Sequence, residues 1–116
     1  MVTPYVPDTG DIVFMDFDPQ VGREQAKRRP ALILTDLRYN RASGLAVVCP
    51  LTSKVKPYPF SLPIIVGGVE GAVLVDQLKS MDWSGRQAEF HSKAPVSMMS
   101  KVRQYIAVLL QIPTRQ

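Results

Sequence analysis

The chain has one cysteine and one histidine in 116 residues. With Cys49 alone there is no internal disulfide and no cysteine-rich zinc site. With His91 alone, a single chain cannot run an acid–base mechanism on paired histidines. No apolar run approaches the ~20 residues that span a bilayer, and Met1 to Gly10 carries neither the basic region nor the hydrophobic stretch of a secretion signal. The glycines at 67, 68 and 71 follow no strand-to-helix pattern, so they do not form a phosphate-binding loop. These absences lead to the expectation of one soluble, cytoplasmic domain covering residues 1–116, with no repeat, linker, membrane segment, metal or cofactor.

The remaining composition is that of a globular protein: 46% hydrophobic, 21% charged, mean hydropathy near zero. The net charge of +4 is unevenly spread. Residues 1–20 hold Asp8, Asp11, Asp16 and Asp18 and no lysine or arginine, whereas residues 21–60 carry +6. A basic middle points to a polyanionic partner, either nucleic acid or an acidic protein.

The chain is mainly β. Ile12–Phe17 is a β-branched and aromatic run closed by Asp18-Pro19, and Ala31–Thr35 forms a buried strand after Pro30. Between them a polar, basic loop is expected over 18–29. Leu37–Ala42 makes a helical turn. Leu45–Thr52 is a third strand, with Pro50 marking an edge or bulge near its end. Phe60–Val66 and Ala72–Asp76 follow, joined by a glycine-rich turn over 67–71, and Gln77–Met81 extends the sheet. Pro95 then opens a helix to about Leu110, with Met98, Val102, Tyr105 and Leu109 as its core stripe and Met99 and Ile106 extending it into a contact with a second copy. Five or six strands and one helix predict a small β-barrel capped by that helix.

Arg23 to Pro30 holds most of the candidate chemistry. Arginine forks match phosphate oxygens, and Pro30 restricts the backbone of Arg29. Asp11, Asp16 and Asp18 have no histidine or cysteine near them and are expected to hold turns and backbone N–H groups. Tyr58 and Phe60, beside Lys54 and Lys56, suit the stacking of unpaired bases. Trp83 is expected to pack. Taken alone, these features indicate binding and leave catalysis open.

An ordered set of short motifs is more specific. It runs through Tyr5-Val6-Pro7-Asp8, Gly10-Asp11-Ile12-Val13, Asp16-Phe17-Asp18-Pro19, Glu24-Gln25-Ala26, Arg29-Pro30-Ala31, Pro50-Leu51-Thr52, Tyr58-Pro59-Phe60, Asp76-Gln77 and Lys79-Ser80. In this order the set resembles the MazF/PemK family of toxin ribonucleases over nearly the whole chain, weakening after Trp83. The resemblance implies an SH3-like barrel with a C-terminal helix, working as a homodimer. It also implies a metal-independent, sequence-specific endoribonuclease for single-stranded messenger RNA, restrained by a cognate antitoxin whose acidic tail fills the RNA site.

Carried over by position, Arg29 matches the family's essential arginine, Thr52 its phosphate-contacting threonine, and Glu24 a glutamate suited by charge to act as base. Lys27, Arg28, Lys54, Lys56, Tyr58, Asp76, Gln77, Lys79 and Ser80 are the expected RNA-binding positions. The sequence departs from the family at two of its positions. Leu74 stands where one branch has a catalytic arginine, and Arg28 stands where the closest family pattern has histidine. Two other readings stay open: a binding module of the same fold that does not cut, and a gyrase-directed toxin. The ending Pro113-Thr114-Arg115-Gln116 lacks the tryptophan-glycine terminus associated with gyrase poisoning.

Overall fold

The structure, a computed structural model, describes residues 4–17, 28–54 and 58–113. Seven antiparallel strands form one curled sheet, a half-barrel closed on one side by the C-terminal helix. The strands are β1 (Asp11–Asp16), β2 (Arg28–Ile33), β3 (Ala46–Thr52), β4 (Ser61–Val66), β5 (Val69–Leu74), β6 (Lys79–Met81) and β7 (Glu89–Lys93). Their order is β4-β5-β3-β2-β1-β7, with β6 also pairing with β3. Helix α1 (Leu37–Ser43) links β2 to β3, and α2 (Val96–Leu110) follows β7.

Side-chain alternation divides the core between the two faces of the sheet. Ile12, Leu32 and Cys49 point to one face, where they meet Leu62, Val73 and, from α2, Met99 and Val102. Val13, Ala31 and Val48 point to the other and pack with Met15, Phe17 and Met81. Trp83 packs against this second cluster and donates its indole N–H to the Asn40 carbonyl at 2.9 Å.

Local signals account for the connections. Asp36 caps α1 by accepting the Tyr39 N–H at 2.9 Å, and Gly44, at φ 75°, ends it in the left-handed conformation that suits glycine. Val66 and Val69 pair directly across Gly67-Gly68, both at positive φ. This two-residue hairpin turn is tighter than the expected one over 67–71, because glycine matches the strand twist.

The structure departs from expectation in four further places. Arg28 and Arg29 belong to β2, paired with Asp16 and Met15, because the ladder continues past the apolar run that marks the strand. Pro50 faces Ala31 inside the sheet, in the interval where the far flank of β3 passes from β6 to β5. Val75–Gln77 is a 3₁₀ turn, so β5 begins and ends before the predicted Ala72–Asp76. Strand β7 has no hydrophobic run. It pairs with β1 across a register shift between Ile12 and Val13 that leaves His91 as the extra residue.

Candidate active site

One end of the sheet gathers the C-terminal ends of β1 and β3 with the N-terminal end of β2. The β2–β3 ladder ends where Ala31 pairs with Pro50, and Arg29 and Thr52 each lie two residues beyond that pair. The two residues expected to do the chemistry, 23 positions apart in sequence, therefore come to the same end of the sheet. Arg29 is exposed, Thr52 half-buried. Among the described residues, Arg29 has no ion-pair or side-chain hydrogen-bond partner.

The Thr52 hydroxyl oxygen accepts the Lys54 N–H at 3.1 Å. Its own proton remains available to donate to a phosphoryl oxygen. β5 backs this position closely. An ideal Cβ on Gly71 would lie 2.6 Å from the Thr52 carbonyl oxygen, so only glycine fits there. Sequence reading did not single out Gly71, since the close approach appears only once β5 lies against β3.

Lys79 pairs with Val48 and shares the Arg29 face; its ammonium lies 5.0 Å from the centre of the Phe17 ring. That is cation–π distance and gives Phe17 a role in orienting Lys79. Ser80, the next residue, turns to the opposite face by the pleat. Asp76 and Gln77 are exposed on the 3₁₀ turn after β5. The Tyr58 hydroxyl donates to Asp76 Oδ1 at 3.1 Å, and partial burial followed by this bond pushes its phenol above the ordinary value. Lys54 is exposed at the end of β3. Glu24, Lys27 and Lys56 lie outside the described residues.

Arg28 differs most from its expected role. It faces away from Arg29, and its guanidinium is held by Asp16, Glu89 and two backbone carbonyls. His91 lies edge-on to Phe14 at 5.5 Å, with Nδ1 2.9 Å from Ser92 Oγ. Both rings line a 260 Å³ groove that also takes in Pro30, Thr52, Ile64 and Val69.

The site therefore offers a fixed cation, a hydroxyl donor and a second cation on one strand-end surface. Such a surface suits a phosphodiester whose own hydroxyl attacks.

The family of PemK-like, MazF-like toxins of type II toxin–antitoxin systems matches residues 8–110, and the chain belongs to it. It is 37% identical over 110 residues to the endoribonuclease toxin MazF of Escherichia coli K12, covering 95% of this chain and 99% of that one. The crystal structure of MazF from Deinococcus radiodurans superposes with a TM-score of 0.84 at 44% identity, over 94% of this chain and all of that one. MazF in the MazE–MazF complex of the same organism gives 0.84 at 41% over the same shares.

Proposed function

We propose that this chain is the toxin of a type II toxin–antitoxin pair and a metal-independent endoribonuclease, cutting single-stranded messenger RNA at a short sequence and so stopping translation. The observation that carries the reading is the gathering of Arg29, Thr52 and Lys79 at the basic end of the sheet.

The ribose 2′-oxygen attacks the adjacent phosphorus and the bond from phosphorus to the 5′-oxygen breaks. This leaves a 2′,3′-cyclic phosphate and a 5′-hydroxyl. The 2′-hydroxyl proton must go to a base and the departing oxygen must gain one. Arginine stays charged at any working pH, so Arg29 serves as a fixed hydrogen-bond donor to the phosphorane oxygens and the leaving oxygen, which takes its proton from water. The Thr52 hydroxyl donates to a phosphoryl oxygen, and Glu24 takes the 2′-hydroxyl proton. Donors fixed before the reaction stabilise the charge that develops during it. Lys79, Lys54, Lys27 and Lys56 hold flanking phosphates, while Tyr58, Asp76 and Gln77 contact the bases beside them; Ser80, on the opposite face, does not share in that contact.

The chain acts in the cytoplasm as one unit and as a homodimer. Val69, Val108, Leu110 and Ile112 are large apolar side chains more than half exposed, a surface suited to burial against a second copy. A cognate antitoxin with an acidic segment competes with RNA for the basic strand end. D. radiodurans MazF has been crystallised with MazE, which supports a partner of that kind here.

The test is incubation with a long single-stranded RNA in EDTA, followed by mapping of the cuts and analysis of the new ends. Discrete cuts with cyclic-phosphate ends are expected. Cutting that requires added metal would overturn the mechanism, and RNA bound but intact would make the chain a binding module.

A further inference from the structure

Arg28 and Arg29 are adjacent and chemically identical, yet the fold gives them opposite surroundings. We propose that Arg28 is a positioning residue that fixes the backbone from which Arg29 projects, and that it makes no contact with RNA. The inference rests on the ribonuclease reading above.

Arg28 Nη1 lies 3.1 Å from Asp16 Oδ1. Its Nη2 lies 2.6 Å from Glu89 Oε1, 2.8 Å from the Gln87 carbonyl and 3.0 Å from the Phe14 carbonyl. The partners come from β1, from β7 and from the turn before β7, so one side chain from β2 reaches across β1 and ties three strands at their ends. Gln87 adopts a φ of 54°, a conformation unfavourable for a residue with a side chain. Its carbonyl accepts from Arg28 there.

The charge balance argues against an RNA contact. Asp16 and Glu89 already satisfy the Arg28 guanidinium, and with Arg86 beside them the cluster carries no net charge to attract a phosphate. Arg86 complements the clamp by donating through Nη1 to the carbonyls of Asp16 and Phe17. One arginine thus holds the strand end entering segment 18–27 and the other holds the strand end leaving it. Arg29 follows directly on the fixed side and faces the opposite way.

Three measurements separate positioning from RNA contact. In Arg28→Gln, kcat on a mapped cut site falls by up to about a hundredfold, as expected when a reacting group is misplaced by about 1 Å. KM and the salt dependence of binding to a 2′-O-methyl RNA spanning that site stay as in wild type. A lost phosphate contact would instead lower the salt slope by about 0.7, the result expected for Arg29→Gln. The Asp16→Asn, Glu89→Gln double variant gives the sharper sign. Positioning predicts slower cutting with unchanged affinity. RNA contact predicts tighter binding and undiminished cutting, because the charge of Arg28 is released. Glu89 is 76% exposed, so its change leaves the core intact.

The third measurement does not need cleavage. In wild type labelled with nitrogen-15, titration with the 2′-O-methyl RNA moves the guanidinium signals of Arg29 and leaves those of Arg28 in place. Movement of the Arg28 signals, a reduced salt slope in Arg28→Gln, or faster cutting by the double variant would overturn the proposal. Absence of cutting by wild type would count against the ribonuclease reading, and the titration would still decide the role of Arg28.

Discussion

Gly71→Ala tests whether the backing of β3 by β5 sets the geometry of Thr52. Gly71 is not in the left-handed region, so the reason for glycine is space alone. The new methyl would start 2.6 Å from the Thr52 carbonyl oxygen, where real Cβ atoms stay beyond 3.0 Å. The two backbones must therefore part by about 0.4 Å or more, through the ladder pairs Thr52–Ala72 and Leu51–Val73. Overpacking of this kind costs about 1–3 kcal/mol, which lowers Tm by roughly 4–12 °C in a chain of this size. Shifting Thr52 slows the chemical step by about ten- to a hundredfold. Thermal melts by circular dichroism and single-turnover cleavage at a temperature where the variant stays folded measure the two effects. Gly68→Ala is the control: open space surrounds it, so it meets only the strain of its positive φ and cuts at the wild-type rate. Wild-type Tm in Gly71→Ala would refute the packing argument, and lowered Tm with unchanged cutting would refute its link to Thr52.

Three further outcomes are expected. Thr52→Val keeps the shape, loses the donor and lowers kcat by about a hundredfold or more, while Thr52→Ser stays near wild type; equal rates for the valine and serine variants would remove Thr52 from the mechanism. Burial, reinforced by Asp76, raises the Cys49 thiol from 9.0 to about 12, so the folded state holds that proton more tightly than the unfolded state. Its stabilising contribution is complete below about pH 8.5. It falls by roughly 1.4 kcal/mol per pH unit as pH rises toward 12, and denaturant titrations from pH 8 to 10.5 on wild type and Cys49→Ala should show the steeper decline in wild type. Asn40 is fully buried, donates to the Pro7 and Thr35 carbonyls and accepts the Thr35 hydroxyl. Asn40→Ala therefore costs about 3 kcal/mol, seen as a fall in Tm, and leaves kcat unchanged below the melt.

Most of the fold was legible because its signals are local. Strands β1 to β4 carry β-branched or aromatic runs ended by proline or glycine, and α2 follows Pro95 with a helical stripe. That stripe is wider than expected: Met99 is buried in the core cluster and is taken up there, while Ile106 packs partly buried against it. Strand β7 was illegible because Glu89, His91, Ser92 and Lys93 have no alternation to reveal; pairing with β1 alone makes them a strand. The site divides in the same way. Arg29 and Thr52 were marked by motif, but their arrival at the same end of the sheet depends on the β2–β3 register, which no local pattern specifies. The clamp on Arg28 draws on Asp16 and Glu89, 12 and 61 positions away, and a run of three basic residues next to a motif looks like a binding loop until those partners are in place.

The most direct test of the central claim is the single-turnover rate of cyclic-phosphate formation at one mapped site in EDTA, for wild type and Arg29→Ala side by side. Arg29 is exposed, so the variant should keep the wild-type Tm while the rate falls by about a hundred- to a thousandfold, the cost of losing one such donor. A folded Arg29→Ala that cuts at the wild-type rate would contradict the account.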